Sequence, residues 1–125
     1  MSKYISAEDN HMKYDKGAIV VSGTVYADGN PCILINGAKD DAPVAKATVN
    51  IPHELNIPIK ETGNQPVIIK DYSENEGVLE TLENAGIIVP LIPMPLGMGT
   101  IHYVHVIDDS IVQEIREASE ERNAA

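Results

Sequence analysis

A chain of 125 residues, 43% of them hydrophobic, is enough for one ordinary domain with a buried core and leaves little for a second. With no Phe and no Trp, that core must be built from Ile, Val and Leu with five tyrosines, and it offers few stacking platforms. The formal charge of −10 disfavours nonspecific contact with a nucleic-acid backbone, no apolar run reaches the roughly 18 residues of a membrane span, and a single cysteine excludes an internal disulfide or a multi-cysteine metal site.

The charge is divided unevenly. Residues 1–70 carry seven Lys against eight acids, a net of −1, whereas residues 71–125 carry Arg116 and Arg122 against eleven acids, a net of −9. The opening Met1-Ser2-Lys3-Tyr4 lacks the apolar core of a secretory signal, so a cytoplasmic protein is expected.

Residues 1–16 are polar without a sustained period and read as a partly ordered N-terminal arm, followed by a single α+β domain over residues 17–125. Ala18 to Tyr26 is rich in β-branched residues, Ala27-Asp28-Gly29-Asn30 has the chemistry of a tight turn, and Pro31 to Asn36 returns as the second strand of a hairpin. After a polar turn over residues 37–43, Val44 to Ile51 alternates with Ala45, Ala47, Val49 and Ile51 on one face, which predicts a third strand and an antiparallel β meander. Pro52 and Pro58 bracket a loop that leads to the short strand Val67 to Lys70.

Ser73-Glu74-Asn75-Glu76 matches a capping box, Val78, Leu79, Leu82 and Ala85 form an apolar stripe, and Gly86 supplies a left-handed stop. A helix over residues 74–85 follows. Ile87 to Val89 reads as a strand, but Pro90, Pro93 and Pro95 deny it ladder donors, so Leu91 to Gly99 is expected as a covering loop or an edge. This segment, with Met94 and Met98, is apolar enough for a contact surface or lid, or for burial against the final helix. Thr100 to Ile107 is the last strand, and Asp108-Asp109-Ser110 caps a final helix whose Ile111, Val112, Ile115 and Ala118 share one face. The fold class is α+β: the meander, then strand-helix-strand and a C-terminal helix.

Motifs of chemistry are sparse. Cys32 lies in the apolar run Cys32-Ile33-Leu34-Ile35 and reads as a buried, inert thiol. His102 and His105, three residues apart in a strand, fall on opposite faces and cannot share one metal, while His11 sits in the arm and His53 in a loop. No metal and no cofactor is therefore expected. Asp71, Glu74 and Glu76 suit a helix N-terminus without catalysis. Gly77, in the first turn of a helix, costs about 1 kcal/mol relative to Ala, which asks for close approach of a backbone, a strand or a ligand. Leu96-Gly97-Met98-Gly99-Thr100 feeds a strand and lacks the Gly-Lys-Ser or Gly-Lys-Thr of a phosphate loop, and no serine sits in a Gly-x-Ser-x-Gly elbow.

Thr48-Val49-Asn50-Ile51-Pro52 and Ile69-Lys70-Asp71-Tyr72-Ser73-Glu74-Asn75-Glu76-Gly77 carry a resemblance. With the Tyr26-Ala27-Asp28-Gly29 hairpin they resemble a family of small phage and mobile-element proteins over residues 24–107. Size and fold order also resemble the Thoeris anti-defence sponges, small oligomers that sequester a nucleotide signal. That likeness implies a non-enzymatic homo-oligomer in the host cytoplasm that captures a nucleotide-like immune signal. The ligand contacts implied are Tyr26, Lys70, Tyr72, Asn75, Gly77, His102, Tyr103 and His105. Sponges of this kind would use arginines on phosphates, whereas Asn30 and His105 stand here where a base would help. Phosphate contacts would then fall to Lys70, histidines, backbone amides or Arg116 across a subunit interface. An acidic inhibitor of a basic nucleic-acid-binding enzyme and a structural virion or accessory protein are the alternatives. No membrane contact and no direct nucleic-acid backbone binding is expected.

Overall fold

The computed structural model describes residues 2–50, 56–97 and 99–124. Four strands form the first sheet, in the order β1 (Lys3–Ile5), β2 (Ile19–Val25), β3 (Pro31–Gly37) and β4 (Pro43–Lys46), all antiparallel. The β2–β3 hairpin closes through Asp28, whose Oδ1 accepts the Asn30 N–H, and through Gly29 at φ 94°, a conformation that disfavours side chains. A second sheet holds β5 (Gln65–Lys70), β6 (Ile88–Leu96) and β7 (Gly99–Val106) in the order β5-β7-β6. Helix α1 (Val78–Asn84) packs on β5 and β6, and α2 (Asp109–Ala124) lies along β2. The α+β class and the antiparallel meander are those expected, and one aliphatic cluster, from Ile19 and Ile33 to Val104 and Ile115, runs through both sheets and both helices. Among the described residues no helix is long and apolar enough to cross a membrane.

Three departures from the sequence reading have physical causes. The third strand ends at Lys46 rather than running to Ile51. Beyond it the chain leaves the first sheet for the second: Ala47 N–H donates to Ile33 O, while Lys70 N–H donates to Ala47 O and Val49 N–H to Ile68 O, each at 2.9 Å. Thr48 is consequently buried with Ala47, and alternation fails. Ile51, Pro52, His53 and Met98 lie outside the described residues.

The second departure is the capping box. Ser73 to Asn75 forms a 3-10 turn, Ser73 has φ 58°, and the Glu76 N–H donates to the Ser73 main-chain carbonyl rather than to its hydroxyl. Gly77 then turns left-handed at φ 95°, so the α-helix begins at Val78 instead of Glu74. Asp71 Oδ1 accepts the N–H groups of Gly77 at 3.0 Å and Leu79 at 3.2 Å and takes over the capping role.

The third concerns the first sixteen residues, read as an arm. Lys3–Ile5 pairs with β2, Met12 is fully buried, Asn10 Nδ2 donates to the carbonyls of Asp15 and Gly17, and His11 N–H donates to Thr81 Oγ1. A Cβ on Gly77 would overlap the His11 carbonyl, so the close backbone approach that Gly77 asks for is made by this segment. These ties join distant residues largely through main chain, which leaves no periodicity to read.

The segment over residues 91–99, read as a loop or an edge, is mostly β6, and it is an edge. Its register sets Val89 opposite His105, Ile92 opposite Tyr103 and Met94 opposite Ile101, with a bulge between Pro90 and Ile92. Directly opposed residues share a face. Val67, Ile69, Val104 and Val106 point into the core, so Ile68, Lys70, Ile101, Tyr103, His105, Val89, Ile92 and Met94 occupy the other face, which no helix covers.

Candidate functional site

Both arginines of the chain open onto one cleft of about 610 Å3, bounded by the β2–β3 turn, residues 56–61 and the last turns of α2. Arg116 Nε donates to Lys60 O at 2.7 Å and its Nη2 to Gly63 O at 2.8 Å. Arg122 Nε donates to Ala27 O at 2.9 Å, and its Nη1 to Asn123 Oδ1 at 3.4 Å. Each guanidinium is therefore held by neutral acceptors and makes no ion pair among the described residues. A guanidinium has five N–H donors, so each has others free for an incoming oxygen. Asp28, Glu61 and Glu120 also border the cleft, balancing Lys60, Arg116 and Arg122 in an otherwise acidic molecule.

The wall is braced by buried amides. Asn30 Nδ2 donates to Asn50 Oδ1 at 2.8 Å and its Oδ1 accepts the Ile57 N–H, while Asn50 Nδ2 donates to Asp28 Oδ2. The Asn30 backbone N–H, followed by the Asn50 amide, holds the Asp28 carboxyl below its ordinary range, which makes it a weaker base. Gln65, fully buried, donates to Pro58 O and Pro66 O and accepts the Lys60 N–H, so three bonds from one side chain fix the opposite wall.

The residues that the sponge likeness implicates do not gather here: of the nine, Arg116 alone lines this cleft. Lys70 contacts Glu74 Oε1 at 2.7 Å and lies 5.1 Å from the Tyr72 ring centroid. That ion pair, before the other hydrogen bonds, lowers the Glu74 carboxyl to about 2. Tyr26 OH bonds to the hydroxyl and carbonyl of Thr48, with Lys46 Nζ 5.4 Å from its ring, and burial pushes its phenol up. Asn75 is buried, donating to the Lys46 carbonyl at 2.7 Å, and its Oδ1 has no partner among the described residues. Tyr103 and His105 meet edge to face at 6.0 Å on the outer face of the second sheet, with His102 on the opposite face. Gly77 is filled by the His11 and Met12 backbone rather than by open space.

Cys32 is buried, and burial raises its thiol further from ionisation. Among the described residues no group of three or more His, Cys, Asp or Glu is arranged to hold a metal ion.

Sequence reasoning missed Arg122 and Gln65, and it placed Asp71 at the helix N-terminus while giving the cap to Ser73. Arg116 and Arg122 are six positions apart, a spacing that does not share a helix face. They converge because separate carbonyls, of Lys60 and Gly63 on one side and Ala27 on the other, draw the two long side chains inward. Comparison with protein-family models, curated proteins and solved structures gives no match.

Proposed function

We propose that this protein captures a small phosphate-bearing ligand of nucleotide size in the arginine cleft and holds it without transforming it. The observation that carries this is the convergence of the only two arginines on one cleft, both tethered by carbonyls and neither in an ion pair among the described residues, with Arg122 close enough to Asp28 to help keep that carboxyl ionised. Carbonyl tethers orient a guanidinium while leaving its charge available, which suits recognition of an oxyanion. A volume of about 610 Å3 lies within the range of small-molecule sites. Asp28, held ionised and occupied by two amide donors, is poorly suited to proton transfer, which favours capture over catalysis.

The resemblance to anti-defence sponges extends the reading to a nucleotide-like immune signal. Calorimetry against cyclic nucleotides, cyclic dinucleotides and cyclic ADP-ribose isomers tests it: one class binds, mass spectrometry after denaturation recovers it unchanged, and Arg116→Gln with Arg122→Gln abolishes the heat. Absence of binding at high micromolar ligand, or recovery of an altered ligand, overturns the reading.

A further inference from the structure

Val89, Leu91 and Ile92, in one stretch of β6, are 44, 47 and 58% exposed. Single exposed apolar residues are ordinary, but Val89 and Ile92 share the outer face with Leu91 at the bulge between them, and although Ile68 and Ile101 on that face are buried, the exposed β6 side of it marks a contact surface. Beside them on that face are the ring pair of Tyr103 and His105. The strand's free edge is closed to pairing. Pro90, Pro93 and Pro95 sit opposite Val104, His102 and Thr100, one parity of the register. Having no N–H to give β7, they take the non-hydrogen-bonded pairs, and their nitrogens turn toward the free edge. An added strand would meet three missing donors, so a protein partner has to come against the face.

Charge selects the partner. Each molecule carries −10, and residues 71–125 alone carry −9, so two copies repel over most of their surfaces. The outer face of the second sheet contributes no carboxylate from β5, β6 or β7, and at one end of it Lys70 is paired with Glu74, which adds no net charge. An apolar face without net negative charge is complementary to itself, as an isologous contact requires. A basic partner would be drawn to the acidic helix α2 instead.

We infer that two copies of the chain associate through the exposed β6–β7 side of the outer faces of their second sheets, with Ile92 and Tyr103 at the centre. Sedimentation of the full chain over a concentration series tests this. The wild type sediments as a dimer whose fraction rises with added salt, because screening removes the repulsion between the two acidic molecules. Ile92→Lys weakens association about tenfold or more, and Val89→Lys, opposite His105 on the same face, does the same if the first variant fails to fold. Glu117→Lys on α2 leaves the dimer at least as strong. A wild type that stays monomeric throughout, a dimer that dissociates with salt, or a dimer indifferent to both β6 variants overturns the inference. Arg116→Gln, which addresses the cleft, leaves association unchanged, so failure of one reading is separable from failure of the other.

Discussion

The two sheets are finished in different ways. In the first, the 16-residue helix α2 lies along β2, where Gly23 removes the obstacle: a Cβ there would stand 2.6 Å from the Ile111 carbonyl. Past Val21, where β1 stops pairing, the Gly23 N–H is taken by Glu114 Oε1 at 3.2 Å, so the helix satisfies the strand's open edge as well as covering its face. The second sheet receives only the seven-residue α1 on its inner side and keeps an apolar outer face with a proline edge. One long amphipathic helix can close one sheet. The difference shows how a small chain divides its material, with a sheet covered by a long helix where α2 lies and contact surface left where it does not.

Disrupting the backbone contacts that seat each helix gives the largest effects. Gly77→Ala adds left-handed strain to overlap with the His11 carbonyl, and the expected loss is roughly 2–5 kcal/mol in a chemical melt. Gly23→Ala pushes on Ile111 and Ile115 and costs about 1–3 kcal/mol. If Gly23→Ala proves the worse of the two, the α2 contact is less yielding than the comparison implies.

Gln65→Leu strands the Lys60 N–H and the Pro58 carbonyl and costs about 1–3 kcal/mol by thermal melt, with loss of any cleft affinity from a loosened wall. Glu74→Gln is the smallest, below about 1 kcal/mol, since Glu74 is exposed and solvent screens its ion pair. The sign is fixed by the lowered carboxyl. Wild-type Glu74 contributes above its ordinary 4.5 and the contribution fades as pH falls toward about 2, so the difference between wild type and Glu74→Gln shrinks on acidification over that window.

Much of the fold was legible because local chemistry and tertiary structure agree. The β-branched run before Asp28-Gly29, the Gly86 stop at φ 75° and the Asp108 cap are all found, with Asp108 Oδ1 accepting the Ile111 N–H at 3.0 Å. Burial opposes the Asp108 charge, but that bond and the Lys3 ion pair at 3.2 Å outweigh it and keep the carboxyl low. The capping box failed because its pattern is satisfied equally by a 3-10 turn, and the decision rests with Asp71, two residues outside the motif. The cleft was legible only through Arg116 and Asn30. Its other parts depend on carbonyls of Ala27, Lys60 and Gly63 meeting across the chain, and a carbonyl has no residue type.

The passage of residues 47–49 from one sheet to the other bears on how the molecule comes apart. Ala47 bonds to Ile33 on one side and to Lys70 on the other, and Val49 bonds to Ile68. Opening either sheet therefore exposes backbone groups that belong to its neighbour, and the shared aliphatic cluster loses its lining at the same moment. Cooperativity follows from that stitch: amide protons of β3 and β5 exchange together, in one global opening, instead of as two separable subdomains.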